Sequence, residues 1–202
     1  MGLKALCLGV FWVLFASHIY ITIPGNIEEY WKVMALEMVV KTFIFIGMCF
    51  ENMGIISCEE LVSMILTLDY TQPLSDEDVT VTDTAFVDIP VRVYLSKRKS
   101  EIARPAVIYF HGGAFHFGSF KQKAFDSLNR WTANKLNGVV VAVDYRLAPQ
   151  QHFPTQSEDS FTAVKFFLQD KILTEYRVDP TRICISGDSS GGSLAAAVTQ
   201  QT

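Results

Sequence analysis

Ser189 is the residue whose neighbours point most clearly to chemistry. It lies between Gly187 and Gly191 in a G-x-S-x-G pattern, with Asp188 and Ser190 in the intervening positions. An apolar strand before the pattern and an alanine-rich helical stretch after it predict a nucleophile elbow, a strained turn that projects the serine hydroxyl. Glycines suit that turn because the backbone crosses itself closely there. The alternative is a plain glycine turn between strand and helix, such as a phosphate-cradling loop.

A second pattern, His111-Gly112-Gly113-Ala114, directly follows the apolar stretch Ala106–Phe110. Adjacent glycines leave main-chain N–H groups unobstructed by side chains. Such donors, held about 3 Å from developing negative charge, stabilise the oxyanion of acyl transfer. We expect the N–H groups of the loop to do this work and His111 to be structural. The alternative is a glycine turn that joins the strand to a loop.

A third pattern begins at Asp144 and runs through Arg146 to Pro149, followed by Phe153-Pro154 and Asp159. It is typical of a strand that ends in a proline-bounded loop. We expect Arg146 to pair with a carboxylate such as Asp159, which would support the loop rather than take part in catalysis.

The elements that must position these residues alternate between strand and helix. Near-continuous apolar runs are typical of buried parallel strands, and the alternation predicts an α/β fold with a mostly parallel sheet flanked by helices. The expected strands are Val79–Thr82, Ile89–Leu95, Ala106–Phe110, Val139–Asp144 and Arg182–Ser186, and the expected helices include Asn129–Asn137 and Ser157–Leu173. The first two strands should form a hairpin.

Composition excludes some partners. The 202 residues carry a formal net charge of −4 and show no basic stripe, so we expect no nucleic-acid partner. The four cysteines, Cys7, Cys49, Cys58 and Cys184, lack metal-ligand spacing, and we expect no metal site. Whether Cys49 and Cys58 pair in an oxidising compartment is left open.

The first 23 residues are typical of a targeting segment. Lys4 is followed by an apolar run, Ala5–Ile23, which approaches the roughly 20 residues that span a bilayer. We favour an uncleaved signal anchor with a cytoplasmic N-terminus and the body of the protein in the lumen. Cleavage followed by secretion, and a buried core helix, are the alternatives.

Residues 24–76 are expected to form a helical region next to the membrane. The apolar stretch Ile27–Phe50 contains Glu37 and Lys41, and these charges make it a poor second transmembrane helix. A cap helix over a pocket, a helix on the membrane surface and a helix packed on the core are the alternatives. A shorter helix should cover Ser57–Leu68. We place the start of the catalytic region, residues 77–202, after Asp76.

Taken in order, the three patterns resemble the hormone-sensitive-lipase-type branch of the α/β-hydrolases. Together with the N-terminal anchor, they are most similar to the arylacetamide deacetylase family. The resemblance implies hydrolysis of a small-molecule carboxylic ester or amide with an apolar acyl group. It also implies a location on the lumenal side of the endoplasmic reticulum membrane and no cofactor.

The same resemblance assigns roles to the residues of the patterns. Ser189 would be the nucleophile, and the oxyanion donors would be the N–H groups of Gly113, Ala114 and Ser190. His111 and Gly112 would shape the loop. The family usually has a third glycine where this chain has Ala114, and we expect a small effect unless the local φ must be positive.

A further departure from the family concerns the catalytic base. In this fold the acid and the histidine of the triad follow the serine, whereas the chain ends at Thr202, thirteen residues after Ser189. All four histidines precede Ser189, and we regard His116 and His152 as poor substitutes for the base. We therefore interpret the chain as the N-terminal part of such a hydrolase. A non-catalytic small-molecule binder and an inactive membrane-attached fragment are the alternatives.

Overall fold

The structure is a computed structural model that describes residue 12, residues 15 and 16, and residues 27 to 201. The predicted anchor over residues 1–23 therefore lies outside the described residues, except that Trp12, Phe15 and Ala16 are helical. The chain divides into two compact units, one up to Ile65 and one from Leu66.

Between residues 27 and 65, the first unit contains α1 (Tyr30–Asn52) and most of α2, which spans Cys58–Thr67. Ser57 caps α2, because its hydroxyl accepts the N–H of Glu60 at 3.1 Å while the Glu60 carboxylate accepts the N–H of Ser57 at 3.1 Å. Gly47 of α1 is buried, and a Cβ there would lie 2.7 Å from the Cys58 Sγ.

Most of α1 is exposed, although its side chains are largely apolar. Among the residues that the structure describes, α1 is the helix whose length and composition would allow it to cross a membrane, a property shared by signal sequences and by core helices. The sequence analysis regarded this stretch as a poor second transmembrane helix because of Glu37 and Lys41, and this stays a prediction. These two side chains pair one helical turn apart at 3.1 Å, which reduces the cost of placing them in an apolar environment.

The second unit is built on a five-stranded sheet in the order β1-β2-β4-β3-β5. Its strands are β1 (Val79–Phe86), β2 (Ile89–Ser96), β3 (Arg104–Phe110), β4 (Val139–Val143) and β5 (Val178–Gly187). The predicted hairpin is confirmed, since β1 and β2 are antiparallel. The α/β class is confirmed as well, but the sheet is mixed: β4, β3 and β5 are parallel, whereas β2 meets β4 antiparallel.

Helices cover both faces of this sheet. They are α3 (Lys123–Leu136), α4 (Thr155–Phe167), α5 (Asp170–Tyr176) and α6 (Ser190–Thr199). The single helix predicted over Ser157–Leu173 is wrong, because Gln169 has an extended backbone (φ −67°, ψ 136°) that separates α4 from α5. Neither glycine nor proline marks this break.

The hydrophobic core has two layers, one on each face of the sheet. Residues such as Ile108 and Val141 pack with α4, α5 and α6, while Tyr109 and Val140 pack on the face that α3 covers. All five residues of β4 are buried. This is the burial expected of a central strand. Its neighbour β3 leads directly into the glycine loop of the candidate site.

A buried ion cluster joins the antiparallel strands to α3. The Arg92 side chain is fully buried and donates to both carboxylate oxygens of Asp83, at 2.6 and 3.0 Å, and to Asp126 at 3.0 Å. It also donates to the Thr71 hydroxyl and carbonyl. Arg130 completes the cluster by binding the other oxygen of Asp126 at 2.6 Å. Thr71 is thereby attached to the second unit, several residues before the boundary that we placed near residue 76.

Candidate active site

The turn around Ser189 has the strained geometry of a nucleophile elbow. Strand β5 ends at Gly187, helix α6 begins at Ser190, and Ser189 between them has φ +49° and ψ −119°. A non-glycine residue in this region of φ/ψ space is strained, and the neighbouring structure must hold it there. The Ser189 side chain is exposed, and its hydroxyl has no hydrogen-bond partner among the described residues.

The two glycines of the elbow are required by close backbone approaches. A Cβ on Gly187 would overlap the carbonyl group of Gly191, and a Cβ on Gly191 would overlap the carbonyl oxygen of Phe110. Phe110 is the last residue of β3, opposite Gly187 in the parallel pairing. The elbow therefore packs directly against the end of the strand that carries the second glycine pattern.

Asp188 connects the elbow to that second pattern. Its Oδ1 accepts the backbone N–H of Gly112 at 2.8 Å and the hydroxyl of Tyr109 at 2.6 Å. Burial, together with the bond to Asp188, raises the pKa of Tyr109, so the phenol stays a donor. A side chain at Gly112 would clash with the Asp188 carboxylate. Asp188 was predicted to be part of the elbow, but its contact with the Gly112 N–H and the contribution of Tyr109 were not predicted.

The loop after Gly112 has an unusual backbone. Gly113, Ala114 and Phe115 all have positive φ, at 125°, 55° and 63°. The Gly113 carbonyl accepts the N–H groups of His116 and Phe117, at 3.0 and 2.8 Å. The N–H groups of Gly113 and Ala114 have no acceptor in the described part of the chain. Alanine thus occupies a left-handed position that glycine adopts without strain, which is the condition under which we expected a larger effect.

His111 is buried behind the loop, with 1% of its surface exposed. Its Nδ1 lies 2.8 Å from the Gly112 carbonyl oxygen, and its ring stacks on Tyr145 with 4.5 Å between centroids. The Tyr145 hydroxyl donates to the His111 carbonyl at 2.6 Å, and burial raises the pKa of Tyr145 to about 12. Nε2 of His111 faces Oδ1 of Asp144 at 3.5 Å. These contacts are the backbone-supporting kind that we expected of His111.

The two other described histidines, His116 and His152, do not contact Ser189. His116 is exposed, and its Nδ1 lies 3.1 Å from the Ala114 carbonyl oxygen. His152 is exposed in the proline-bounded loop. Neither forms a hydrogen bond with Ser189.

The proline-bounded loop is held by Arg146, as expected. Its guanidinium binds both carboxylate oxygens of the buried Asp159, at 2.9 and 2.6 Å, and its backbone N–H donates to the same carboxylate at 3.0 Å. Three bonds to one carboxylate fix the chain after β4 onto helix α4. The pair supports the loop and presents no group to Ser189.

Two other features of the second unit lie outside the candidate site. An open groove of about 430 Å³ runs along β5 and is lined by apolar side chains such as Ile183, Ile185 and Val164, without Ser189 or the glycine loop. Among the described residues, no three His, Cys, Asp or Glu side chains are grouped so that they could hold a metal ion.

Comparison with known proteins gives the chain its relatives. A family model described as "alpha/beta hydrolase fold" matches residues 107–202. Human "Arylacetamide deacetylase-like 2" is 72% identical over 201 residues, which are 100% of this chain and 50% of the relative. Bovine "Arylacetamide deacetylase" is 46% identical over 189 residues, covering 94% of this chain and 47% of the relative.

Solved structures agree with this match. An esterase from the hyperthermophilic archaeon Pyrobaculum calidifontis superimposes with a TM-score of 0.56 at 35% identity, covering 71% of this chain and 45% of the esterase. The chain spans about half the length of the curated relatives that it matches. The chain has the α/β-hydrolase fold, and it is similar in sequence to the arylacetamide deacetylases.

Proposed function

We propose that this chain supplies the nucleophile and the oxyanion loop of a serine hydrolase that cleaves small-molecule carboxylic esters or amides. The observation that carries the proposal is the hydrogen bond from Gly112 N–H to Asp188, which joins the strained serine turn to the glycine loop. A plain glycine turn would not need a loop with unpaired N–H groups fixed beside it. The relatives named as deacetylases and the esterase structure support the same reaction class.

The proposed chemistry begins with attack of the Ser189 hydroxyl oxygen on the substrate carbonyl carbon. The N–H groups of Gly113, Ala114 and Ser190 would donate to the carbonyl oxygen as it becomes negative. Ser190 is the first residue of α6, so its N–H belongs to a helix N-terminus and adds the favourable end of the helix dipole. The acyl group would pass to Ser189 and then to water.

Removal of the serine proton needs a base, because a serine hydroxyl is a weak nucleophile at neutral pH. No described residue forms a hydrogen bond with the Ser189 hydroxyl. In this fold the acid and the histidine follow the serine along the chain. We propose that they come from the part of a longer protein that corresponds to the unmatched half of the relatives.

We also propose that the protein is held at the endoplasmic reticulum membrane with its catalytic unit in the lumen. The support is the positive Lys4 before the apolar run Ala5–Ile23, which approaches the length that spans a bilayer. An apolar acyl group on the substrate would fit this location, because such esters partition into lipid.

A second candidate function is favoured by the unpaired Ser189 hydroxyl. A chain that keeps the pocket but lacks a base would bind an ester-like small molecule without turning it over, or would remain an inactive membrane-attached polypeptide. This reading and the hydrolase reading differ in whether Ser189 becomes covalently modified.

A fluorophosphonate probe separates the two. We expect the longest natural protein that contains this chain to be labelled at Ser189. The label should be lost in Ser189→Ala. If that protein binds an ester analogue reversibly but is not labelled, the binding function is supported. Labelling that persists in the alanine variant would overturn the assignment of Ser189 as the nucleophile.

A further inference from the structure

The contacts of His111 determine where its protons lie. Nδ1 lies 2.8 Å from the carbonyl oxygen of Gly112. A carbonyl oxygen only accepts hydrogen bonds, so Nδ1 must carry a proton at this distance. In a neutral imidazole the other nitrogen, Nε2, would then have only a lone pair.

Nε2 faces the carboxylate of Asp144, with 3.5 Å between Nε2 and Oδ1. Both atoms are buried, and neither has a hydrogen-bond partner among the described residues. The gap is too short for a water molecule to sit between them. Two acceptors facing each other in a buried site would be costly, whereas a proton between them turns the contact into a charge-assisted bond.

The proton belongs to the imidazole rather than the carboxylate. Oδ2 of Asp144 lies 3.1 Å from the Ser119 hydroxyl, which donates to it. A hydrogen bond donated to a carboxylate favours its charged form. We infer that His111 is a doubly protonated imidazolium, paired with the Asp144 carboxylate, and that it acts as a positioning residue of the glycine loop.

The other titratable groups near this pair are compatible with a single positive charge. Tyr145 stacks on the ring and stays neutral, since burial raises its pKa to about 12. Tyr70 lies near the pair, and burial followed by the Asp144 charge raises its pKa. Asp188 contacts the next peptide through the Gly112 N–H. The described surroundings thus place two carboxylates, Asp144 and Asp188, around the imidazolium.

The charge has a consequence for the loop, and this step rests on the proposed function. The Gly112 peptide is held on both sides, with its N–H on Asp188 and its carbonyl on His111. Its orientation sets the direction of the following N–H groups, of Gly113 and Ala114. An imidazolium one residue before this peptide also adds positive potential behind donors that would meet a negative oxygen.

The protonation state can be measured directly by NMR without any enzymatic activity. In the longest natural protein that contains this chain, the ring signals that disappear in His111→Gln identify the nitrogens of His111. With 15N-labelled histidine at neutral pH, we expect both ring nitrogens of His111 to give shifts of the protonated type. One protonated and one bare nitrogen would overturn the inference.

Asp144→Asn is the isosteric test of the pair. The amide can donate its N–H to a neutral Nε2 while its oxygen still accepts from Ser119, so the shape of the site is retained and the charge pair is removed. We expect Nε2 to change to the bare type, with Nδ1 still protonated. Asp88→Asn, an exposed carboxylate in the turn between β1 and β2, should leave both shifts unchanged. Two protonated nitrogens in Asp144→Asn would contradict the role of Asp144.

A second measurement tests the effect on the loop. In the longest natural protein that contains this chain, we expect Asp144→Asn to slow fluorophosphonate labelling of Ser189 by about tenfold. This is a smaller loss of rate than is typical of removing an oxyanion donor. An unchanged labelling rate would overturn the positioning role. If neither the wild type nor any variant is labelled, the proposed hydrolase function fails, while the NMR result still decides the protonation of His111.

Discussion

The Gly112 N–H and the Asp188 carboxylate are joined by a 2.8 Å hydrogen bond across 76 positions of the sequence. Gly112 belongs to the loop after β3, and Asp188 precedes the serine at the end of β5. The two glycine patterns are therefore fixed to each other by a direct bond as well as by the sheet. The first prediction follows from this bond.

We predict that Asp188→Ala slows labelling of Ser189 by a fluorophosphonate probe by roughly tenfold or more, because the Gly112 N–H loses its acceptor and the loop its anchor. Asp188→Asn retains an acceptor oxygen and should lose less. The labelling rates of the variants are compared in the longest natural protein that contains this chain. Tyr109→Phe, which removes only the second bond to Asp188, is the control expected to lie closest to wild type. Equal rates for all three variants would contradict the anchoring role.

The second prediction concerns the positive φ of Ala114. A left-handed conformation costs an alanine about 1–2 kcal/mol, while glycine loses about 0.5–1 kcal/mol through its flexibility in the unfolded chain. We therefore expect Ala114→Gly to leave the free energy of unfolding unchanged or to raise it slightly. Ala124→Gly, on the exposed face of α3, is the matched control and should lower it by about 1 kcal/mol. Denaturant melts that show equal losses would count against strain at Ala114.

The third prediction tests the buried ion cluster. Arg92→Met leaves Asp83 and Asp126 without their shared partner, and breaking a buried pair in this way costs about 3–5 kcal/mol. Arg182→Met removes an exposed pair with Asp179 and should cost no more than about 1 kcal/mol. Urea unfolding of both variants gives the comparison. A loss for Arg92→Met as small as that for Arg182→Met would show that the cluster contributes little.

The fourth prediction concerns topology. In microsomes, we expect the region after residue 24 to be protected from added protease and to stay with the membrane after carbonate washing, because an uncleaved anchor holds it in the lumen. Detergent should abolish the protection. Release by carbonate with protection intact would instead indicate cleavage and secretion.

The fifth prediction concerns the chain alone. We expect residues 24–202 to hydrolyse a p-nitrophenyl ester no faster than the Ser189→Ala variant, because no described group is hydrogen-bonded to the Ser189 hydroxyl and the hydroxyl needs an adjacent base. Loss of a triad member typically leaves only about 10³–10⁴-fold residual enhancement over water. Within the described residues β5 pairs only with β3, and its free edge beside Ile183 and Ile185 favours aggregation. Serine-dependent turnover by a soluble monomer would contradict this prediction and would direct attention to His116 and His152.

The sequence predicted the parts of the site that depend on local backbone needs. Gly187 and Gly191 bracket a turn whose steric demands are legible in the sequence, and the pairing of Arg146 with Asp159 joins opposite charges close along the chain. The contact of Asp188 with Gly112 was missed because it depends on the relative register of β3 and β5. The left-handed φ of Ala114 was not predictable either, since alanine normally avoids it.

The sequence predicted the strands better than it predicted the helix boundaries and the pairing of distant strands. Strand runs such as Val139–Val143 are continuous and apolar, and they were found close to their actual bounds. The break between α4 and α5 was missed because Leu168 and Gln169 carry no helix-breaking signal. The antiparallel pairing of β2 with β4 also escaped, because pairing between strands that are distant in sequence is decided by packing on both faces of the sheet.

The parallel pairing of β3 with β5 places Phe110 opposite Gly187 and Tyr109 opposite Ser186. The glycine loop and the serine turn therefore begin at paired positions of two hydrogen-bonded parallel strands. The distance between the two loops can therefore change only in whole-residue steps, because a one-residue slip would turn every side chain of β5 to the opposite face. Substitutions elsewhere in the protein can tilt or strain this pair of loops, but they cannot adjust its spacing gradually.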